Sequence, residues 1–308
     1  MIGAVLTALF FGVTPVCANR AIKLIGFVRA NVLRLSFAVV VMAIWAFSFG
    51  QGLGGESLLF AGAGVIGFGV GGLSLLAALP RLGAPLASLI EESAAAPVAA
   101  VVAWVWYADR LTPGQIGFSA IILVGVVVGL LPYLRGAASK GARLGIALAL
   151  LAALAQGVSF AMTRRGLLLM KAAHTPPDTI TVAFQRLVGG FVVAVVVFLV
   201  ARWIWRRRWG FTGGDGRIRS ILASDGSITA RPLFWAGLNS LFGPILGVTC
   251  TVWAQQSLQP GVVQAIAAMA PLISVPFARW LEGHRPPRLY YLGAVIAIAG
   301  LVLVNVVG

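Results

Sequence analysis

Residues 114–134 read GQIGFSAIILVGVVVGLLPYL, and no charged residue occurs in this stretch. Because a helix rises about 1.5 Å per residue, a run of about 20 residues can cross the hydrocarbon core of a bilayer, which is about 30 Å thick. A soluble protein would need polar surface to cover so long an apolar segment. The stretch therefore predicts a membrane-spanning helix.

Similar runs recur along the 308-residue chain, which is 60% hydrophobic and 10% charged and has a mean hydropathy of +0.98. The other nine predicted spans cover residues 2–18, 30–49, 57–79, 83–107, 142–163, 180–201, 232–256, 261–281 and 288–307. The runs are continuous rather than alternating, which excludes a transmembrane barrel. The predicted fold is an all-α membrane protein with ten transmembrane helices.

The basic residues are distributed unequally between the two sides of this predicted bundle. Connections after the odd-numbered spans hold 17 of the Lys and Arg residues, and the opposite side holds four. The net charge of +15 thus belongs to short connections and not to a nucleic-acid-binding surface. By the positive-inside rule, this bias predicts that both termini lie outside the cytoplasm.

Two halves of the chain resemble each other in order. The segment Leu9-Phe10-Phe11-Gly12-Val13-Thr14 is similar to Leu154-Ala155-Gln156-Gly157-Val158-Ser159, Arg34 corresponds to Arg186, and Asp109 corresponds to Glu282. Five spans per half is an odd number, so the second half must be inverted relative to the first. We predict repeats at residues 1–138 and 139–308, with a basic loop at 202–231 in the second.

These paired motifs resemble the drug/metabolite transporter superfamily, and specifically its EamA-like branch with ten helices. The resemblance covers nearly the whole chain and implies two inverted five-helix repeats around a central cavity that carries small solutes. Many members of the branch have cytoplasmic termini, whereas the charge bias here predicts the opposite. We follow the charge bias of this sequence and predict a cytoplasmic loop 202–231 with both termini outside.

No pattern in the sequence predicts an enzyme. His174 and His284 are the only histidines and do not form a metal pair, and Cys17 and Cys250 stand alone in apolar spans. Phosphate-binding loops are also missing from the sequence. We expect no catalytic residue, no metal and no cofactor.

Glu91 and Glu92 are the most informative polar residues, because they interrupt an apolar span where water is scarce. Small residues surround them and would leave room for water or a ligand. We predict that they line a central cavity near the membrane midplane. The alternative is a structural ion pair with Arg34, which is itself a candidate for the site.

Further polar residues lie within other predicted spans and could face the same cavity. They are Thr14, Gln156, Ser159, Asn239, Thr251, Gln255 and Gln264. Hydrogen bonding between helices would explain any one of them equally well. As a set, they favour a solute-binding site.

The sequence thus predicts a secondary transporter that moves a small metabolite, an amino acid or a drug by alternating access, with protons as a candidate coupling ion. The alternatives are a non-transporting membrane scaffold and a flippase for lipid-linked substrates. Expected partners are membrane lipids and the solute, with no nucleic acid, and a homodimer is left open. The expected location is a bacterial inner membrane.

Overall fold

The computed structural model describes residues 1–135, 141–209, 229–282 and 288–307. Its described part consists of ten long helices and contains no strand. The helices are α1 (Ile2–Ile25), α2 (Phe27–Ser48), α3 (Ser57–Leu82), α4 (Ala84–Tyr107), α5 (Pro113–Arg135), α6 (Ala142–Ala172), α7 (Thr179–Trp209), α8 (Ala230–Gln255), α9 (Pro260–Ala267 continuing as Ala270–Glu282) and α10 (Arg288–Val307).

Helices α1 to α9 are long and apolar enough to cross a membrane, as judged within the described ranges. Helix α10 is apolar over the shorter stretch Arg288–Leu303. This confirms the prediction of an all-α membrane protein with ten spans. Three parts of the sequence prediction lie outside the described residues. They are the repeat boundary at residues 138 and 139, most of loop 202–231, and Gly283, which follows Glu282 in the motif matched to Asp109.

Single glycines make two of the helix connections. Gly26 joins α1 to α2 with φ 78° and ψ 158°, and Gly83 joins α3 to α4 with φ 78° and ψ 161°. A side chain beyond hydrogen would clash with the backbone in this conformation, so glycine is required there. Each connection thus takes a single residue, and the two helices that it joins contact each other.

Three helices are at least seven residues longer than the sequence pattern predicted. Helix α1 continues to Ile25 instead of residue 18, α6 to Ala172 instead of residue 163, and α7 to Trp209 instead of residue 201. Arginines that we placed in connections lie inside these helices. Arg20 has its guanidinium 4.8 Å from the ring centre of Trp235, so a ring near the membrane surface stabilises the charge without ending the helix.

The packing of the helices repeats with a period of five. Helix α4 packs on α6 as α9 packs on α1, and α3 packs on α6 and α7 as α8 packs on α1 and α2. Helices α5 and α10 pack on each other, as do α2 and α7. Exchanging each helix for the one five places away leaves this pattern unchanged, as expected for two five-helix repeats.

Individual glycines repeat the same crossings. A Cβ atom added to Gly12 would lie 2.7 Å from Ile273, and one added to Gly157 would lie 2.6 Å from Val98. Gly12 and Gly157 occupy the matching motifs of α1 and α6, and their contacts lie at matching places of α9 and α4. Only a residue without a side chain allows these close approaches.

Helices α3 and α8 each contain one π-helical turn, at Val65–Gly71 and Leu241–Gly247. The first turn is rich in glycine, and the second contains Pro244, which cannot donate a backbone hydrogen bond. Such turns are rare and concentrate at functional sites. Their matching positions put both of them at the centre of the bundle.

Candidate functional site

One cavity lies where helices of both halves cross. Its polar lining is Thr14, Arg34, Ser88, Glu91, Glu92 and Gln156, which come from α1, α2, α4 and α6, while α3, α8 and α9 complete the wall. The cavity measures about 70 Å³. Ordinary small-molecule pockets exceed roughly 300 Å³, so the bundle is contracted around this site.

Glu92 connects α4 to α9. Its side chain is 6% exposed, and its carboxylate accepts a hydrogen bond from the Nε2 group of Gln264, which is fully buried. Gln264 belongs to the second half of the chain, so this bond spans the two halves. Both residues were predicted for the site, and the structure brings them together.

Glu91 also lines the cavity but faces Arg34 of α2. The two side chains interact electrostatically, yet among the described residues Glu91 forms no ion pair within 4.0 Å. Arg34 is held instead by Asn31, whose Oδ1 accepts a hydrogen bond from Nε at 2.9 Å. Arg34 therefore lies across the cavity from the carboxylate as a counter-charge and is not locked to it.

Glu91 and Glu92 are the eighth and ninth of the 24 residues of α4, closer to the middle of the helix than to its start. Their position near the membrane midplane stays a prediction. Ser88, one helical turn before Glu92, adds a hydroxyl to the same wall. The polar lining from α4 thus covers about one helical turn, from Ser88 to Glu92.

Thr14 and Gln156 supply the contributions of α1 and α6. The Thr14 hydroxyl donates a hydrogen bond to the carbonyl of Phe10 at 3.0 Å, directly before Pro15. Gln156 is 8% exposed and reaches the cavity from the matching motif. Each half therefore presents one polar residue from its first helix.

Ser159 and Thr251 are buried but do not line the cavity. The Ser159 hydroxyl donates to the carbonyl of Ala63 at 2.7 Å, which joins α6 to α3. The Thr251 hydroxyl donates to the carbonyl of Gly247 at 2.8 Å, within its own helix. Their hydrogen bonds are those of packed helices.

Asn239 and Gln255 also lie away from the cavity. Both are almost fully buried, and their side-chain amides have no hydrogen-bond partner in the part of the chain that the structure describes. The backbone carbonyl of Gln255 accepts a hydrogen bond from Arg164 at 2.5 Å. The predicted set thus divides into residues at the cavity and residues between helices.

A group of contacts closes the bundle at the end opposite the basic connections. Arg164 of α6 lies 3.4 Å from the carboxylate of Asp109, which follows α4. The Tyr107 hydroxyl donates to the carbonyl of Ala161 at 3.2 Å. Because α4 and α6 belong to different halves, these bonds fasten one half to the other.

Sequence reasoning missed several residues of the site, among them Ser88. Phe11 and Phe68 line the cavity, and Arg186 lies behind Phe68. The apolar rings carry no signal that distinguishes them from core residues. Arg186 was visible as the counterpart of Arg34, and a charge within a predicted span should have marked it as a candidate.

Comparison with known proteins agrees with this architecture. The model of the EamA-like transporter family matches residues 1–131 and 143–306. No curated protein matches the chain. One solved structure, described only as "Crystal structure of protein", is similar over 98% of this chain and 95% of its own, with a TM-score of 0.69 and 13% identity, a likeness of fold alone. With a family match over nearly all its length, the chain belongs to the EamA-like transporter family.

Proposed function

We propose that this protein is a secondary transporter that carries a small solute through the central cavity by alternating access. Membership of the EamA-like family already indicates a membrane transporter of small solutes. The proposal adds a site and a mechanism. Its site consists of Thr14, Arg34, Glu91, Glu92 and Gln156.

One observation carries the proposal: two adjacent carboxylates, each 6% exposed, line a cavity between the two halves of a membrane-embedded bundle. Acidic side chains are costly in this medium and are found where they bind an ion or a substrate. A scaffold that only holds a partner needs no enclosed carboxylates.

Proton exchange at Glu91 and Glu92 would couple the solute to a proton gradient. Two neighbouring carboxylates repel when both are ionised, so protonation of one of them lowers the electrostatic cost of burying the pair. Binding of a proton or of a cationic group relieves this repulsion, and its release restores it. Thr14 and Gln156 offer neutral hydrogen-bonding groups to the solute, and Arg34 balances the remaining negative charge.

Alternating access requires that the closed end of the bundle can open. The hydrogen bonds of Arg164 to Asp109 and to Gln255 hold this end shut in the described conformation. The π-helical turns at Val65–Gly71 and Leu241–Gly247 are suitable places for α3 and α8 to bend, because their hydrogen bonding is already irregular. We propose that the two halves rock about these turns.

Uptake into liposomes tests the proposal. Purified protein is reconstituted, and a panel of radiolabelled amino acids, metabolites and drugs is assayed with and without a pH gradient. We expect at least one solute to be carried, and expect Glu91→Gln and Glu92→Gln to lower its initial rate about ten-fold or more. Glu56→Gln is the control, since Glu56 lies before α3 and away from the cavity.

The proposal fails if no solute is carried, or if the variants of Glu91 and Glu92 carry it as the wild type does. Parallel thermal unfolding curves must establish that each variant is folded. For orientation, we propose that the basic side faces the cytoplasm of a bacterial inner membrane. Impermeant thiol reagents applied to single-cysteine variants on either side would test this.

A groove on the lipid-facing surface favours one second candidate, a flippase for lipid-linked substrates. The groove measures about 460 Å³, is mainly apolar and runs between α4, α5 and α9, with Arg110 at its polar end. Ala96 and Gly261 line it within about one turn of Glu92 and Gln264. If a fluorescent anionic lipid crosses liposome bilayers faster with the protein, and Ala96→Trp blocks this, the second candidate is supported.

A further inference from the structure

Arg186 of α7 is buried within the bundle and is 1% exposed. Its Nη2 group donates a hydrogen bond to the Ser159 hydroxyl at 3.2 Å. Its Nε and Nη1 groups have no hydrogen-bond partner among the residues that the structure describes. A guanidinium carries five N–H donors, so most of its binding capacity is unused.

Among the described side chains, no carboxylate lies within 4.0 Å of the Arg186 guanidinium, and the ion pair that the structure gives joins Arg164 to Asp109 instead. An unbalanced charge in a membrane interior is costly, and such residues usually mark the path of a substrate or an ion. The counterpart Arg34 differs, because it faces Glu91 across the cavity.

Two aromatic rings cover the guanidinium. Its Cζ atom lies 5.5 Å from the ring centre of Phe68 and 5.6 Å from that of Phe160. Phe160 is fully buried, whereas Phe68 also lines the central cavity. A single ring therefore separates the guanidinium from the cavity.

Gly67 and Gln156 form the wall beside Phe68. Ser159, the partner of Arg186, lies one helical turn from Gln156 and is in van der Waals range of Gly67. The residues between the cavity and Arg186 thus include a hydroxyl, an amide and a glycine. These are groups that admit a small polar ligand.

Phe68 lies inside the π-helical turn Val65–Gly71. Converting such a turn to regular α-helix changes the register by one residue, which rotates the following side chains by about 100°. Gly67 and Gly69 flank Phe68 and add little steric resistance. The ring can therefore leave the guanidinium without unfolding the helix.

We propose that Arg186 binds the carboxylate group of the transported solute when Phe68 moves aside. The proposal rests on the proposed function, because it takes the central cavity as the solute's path. Arginine with a nearby hydroxyl suits a carboxylate through charge-assisted hydrogen bonds. A single guanidinium matches one negative charge, and Glu91 and Glu92 on the other wall would repel a polyanion.

The test measures binding to the purified full-length protein in detergent. The probes are monocarboxylates and their matched carboxamides, for instance phenylacetate with phenylacetamide and butyrate with butyramide. We expect thermal stabilisation by at least one carboxylate and not by its amide. Arg186→Gln should weaken the binding of that carboxylate about ten-fold or more, because one charge-assisted contact is lost. Glu56→Gln should bind the carboxylate as tightly as the wild type does.

Two further variants keep the test decisive if Arg186→Gln does not fold. Phe68→Ala uncovers the guanidinium and should strengthen carboxylate binding, a gain that general destabilisation cannot produce. Arg186→Lys keeps the charge and should retain the preference for carboxylate over amide at lower affinity. The proposal is overturned if the wild type prefers no carboxylate, or if neither Arg186→Gln nor Phe68→Ala changes the preference.

Comparison with the liposome assay separates the two proposals. If carboxylate binding depends on Arg186 but no solute is carried, the transport function is wrong and the binding site stands. If transport depends on Glu91 and Glu92 while carboxylate and amide are treated alike by wild type and Arg186 variants, the inference about Arg186 is wrong and the transport function stands.

Discussion

The second helix of each half carries one buried arginine, and the two arginines have different neighbours. Arg34 is 7% exposed, lines the cavity and faces Glu91, with Asn31 holding its Nε group. Arg186 is 1% exposed and lies between the rings of Phe68 and Phe160. The helices that hold them cross their partners in the same way.

This difference suggests that the functional residues are those at which the two halves differ. The duplicated frame provides the crossings, the π-helical turns and the cavity. Among the residues described at the cavity, the carboxylates come from the first half alone, and the second half contributes the amides of Gln156 and Gln264. In the proposed mechanism, the repeated frame allows the two halves to rock, and the unequal lining distinguishes the charge of the ligand.

Removal of each arginine in turn should separate the two environments most strongly. Arg34→Gln leaves Glu91 without its counter-charge, and removing one partner of a buried pair of charges costs about 3 kcal/mol. We expect a clear fall in the unfolding temperature and recovery when Glu91→Gln is added. Arg186→Gln leaves no carboxylate behind, so its loss should be smaller.

The comparison comes from thermal unfolding, in one detergent, of the wild type, Arg34→Gln, Arg186→Gln and the Arg34→Gln/Glu91→Gln double variant. Glu91→Gln alone is measured as the reference for the double variant. Equal losses for Arg34→Gln and Arg186→Gln, with no recovery in the double variant, would mean that Glu91 and Arg34 do not act as charge and counter-charge.

Substitutions at the paired glycines should test the equivalence of the frame. A Cβ atom at Gly67 would overlap the Ser159 hydroxyl, and one at Gly243 would lie 2.9 Å from Thr14. Overpacking at such crossings costs about 2 kcal/mol. We expect Gly67→Ala and Gly243→Ala to lower the unfolding temperature by similar amounts.

Gly117→Ala is the matched control, because a Cβ atom there meets nothing within 4 Å and alanine favours a helix. This variant should unfold at the same temperature as the wild type or a higher one. A fall at only one of the two crossings would show that the halves do not share their packing.

The ion pair at the closed end should give the smallest effect on stability. Asp109 and Arg164 have side chains that are 17% and 12% exposed, so Asp109→Asn should cost about 1 kcal/mol or less. Access should change more than stability. A cysteine at Ser88, in a background without Cys17 and Cys250, should react faster with reagents applied from that end.

Asp178→Asn is the control for this experiment. Asp178 lies at the same end, directly before α7, and its carboxylate accepts hydrogen bonds from the backbone N–H and the hydroxyl of Thr181, so we take its role to be capping of that helix. If Asp109→Asn and Asp178→Asn leave the cysteine equally protected, the ion pair does not close the cavity.

Much of the fold could be predicted from the sequence, because apolar runs report directly on length and burial in a membrane. Span ends were less accurate where a basic side chain finds a partner, as Arg20 does on Trp235, since charge alone suggests a connection. The π-helical turns were not predicted. Glycine-rich runs such as Gly67 to Gly72 indicate close packing, but they do not indicate whether the backbone hydrogen bonds follow the α-helical or the π-helical pattern.

The site was predictable only in part. Five predicted residues do line the cavity, and they could be predicted because charges and breaks in apolar runs are visible in the sequence itself. They are Glu91, Glu92, Arg34, Thr14 and Gln156. Periodicity could not tell which polar residues of α8 face the cavity, because any of them can bond within or between helices. The contact between Phe68 and Arg186 could not be predicted, because the two residues lie on helices that are distant in the sequence.

Proton movement during solute transport is the most direct test of the role assigned to Glu91 and Glu92. Liposomes that contain a pH-sensitive dye and the reconstituted protein are given the solute identified in the uptake screen, and internal pH and solute are followed together. We expect proton and solute flux to rise together in the wild type and in Glu56→Gln. In the Glu91→Gln/Glu92→Gln double variant, proton flux should vanish and any residual solute flux should no longer depend on pH. A double variant with the wild-type ratio of protons to solute would contradict the proposed coupling.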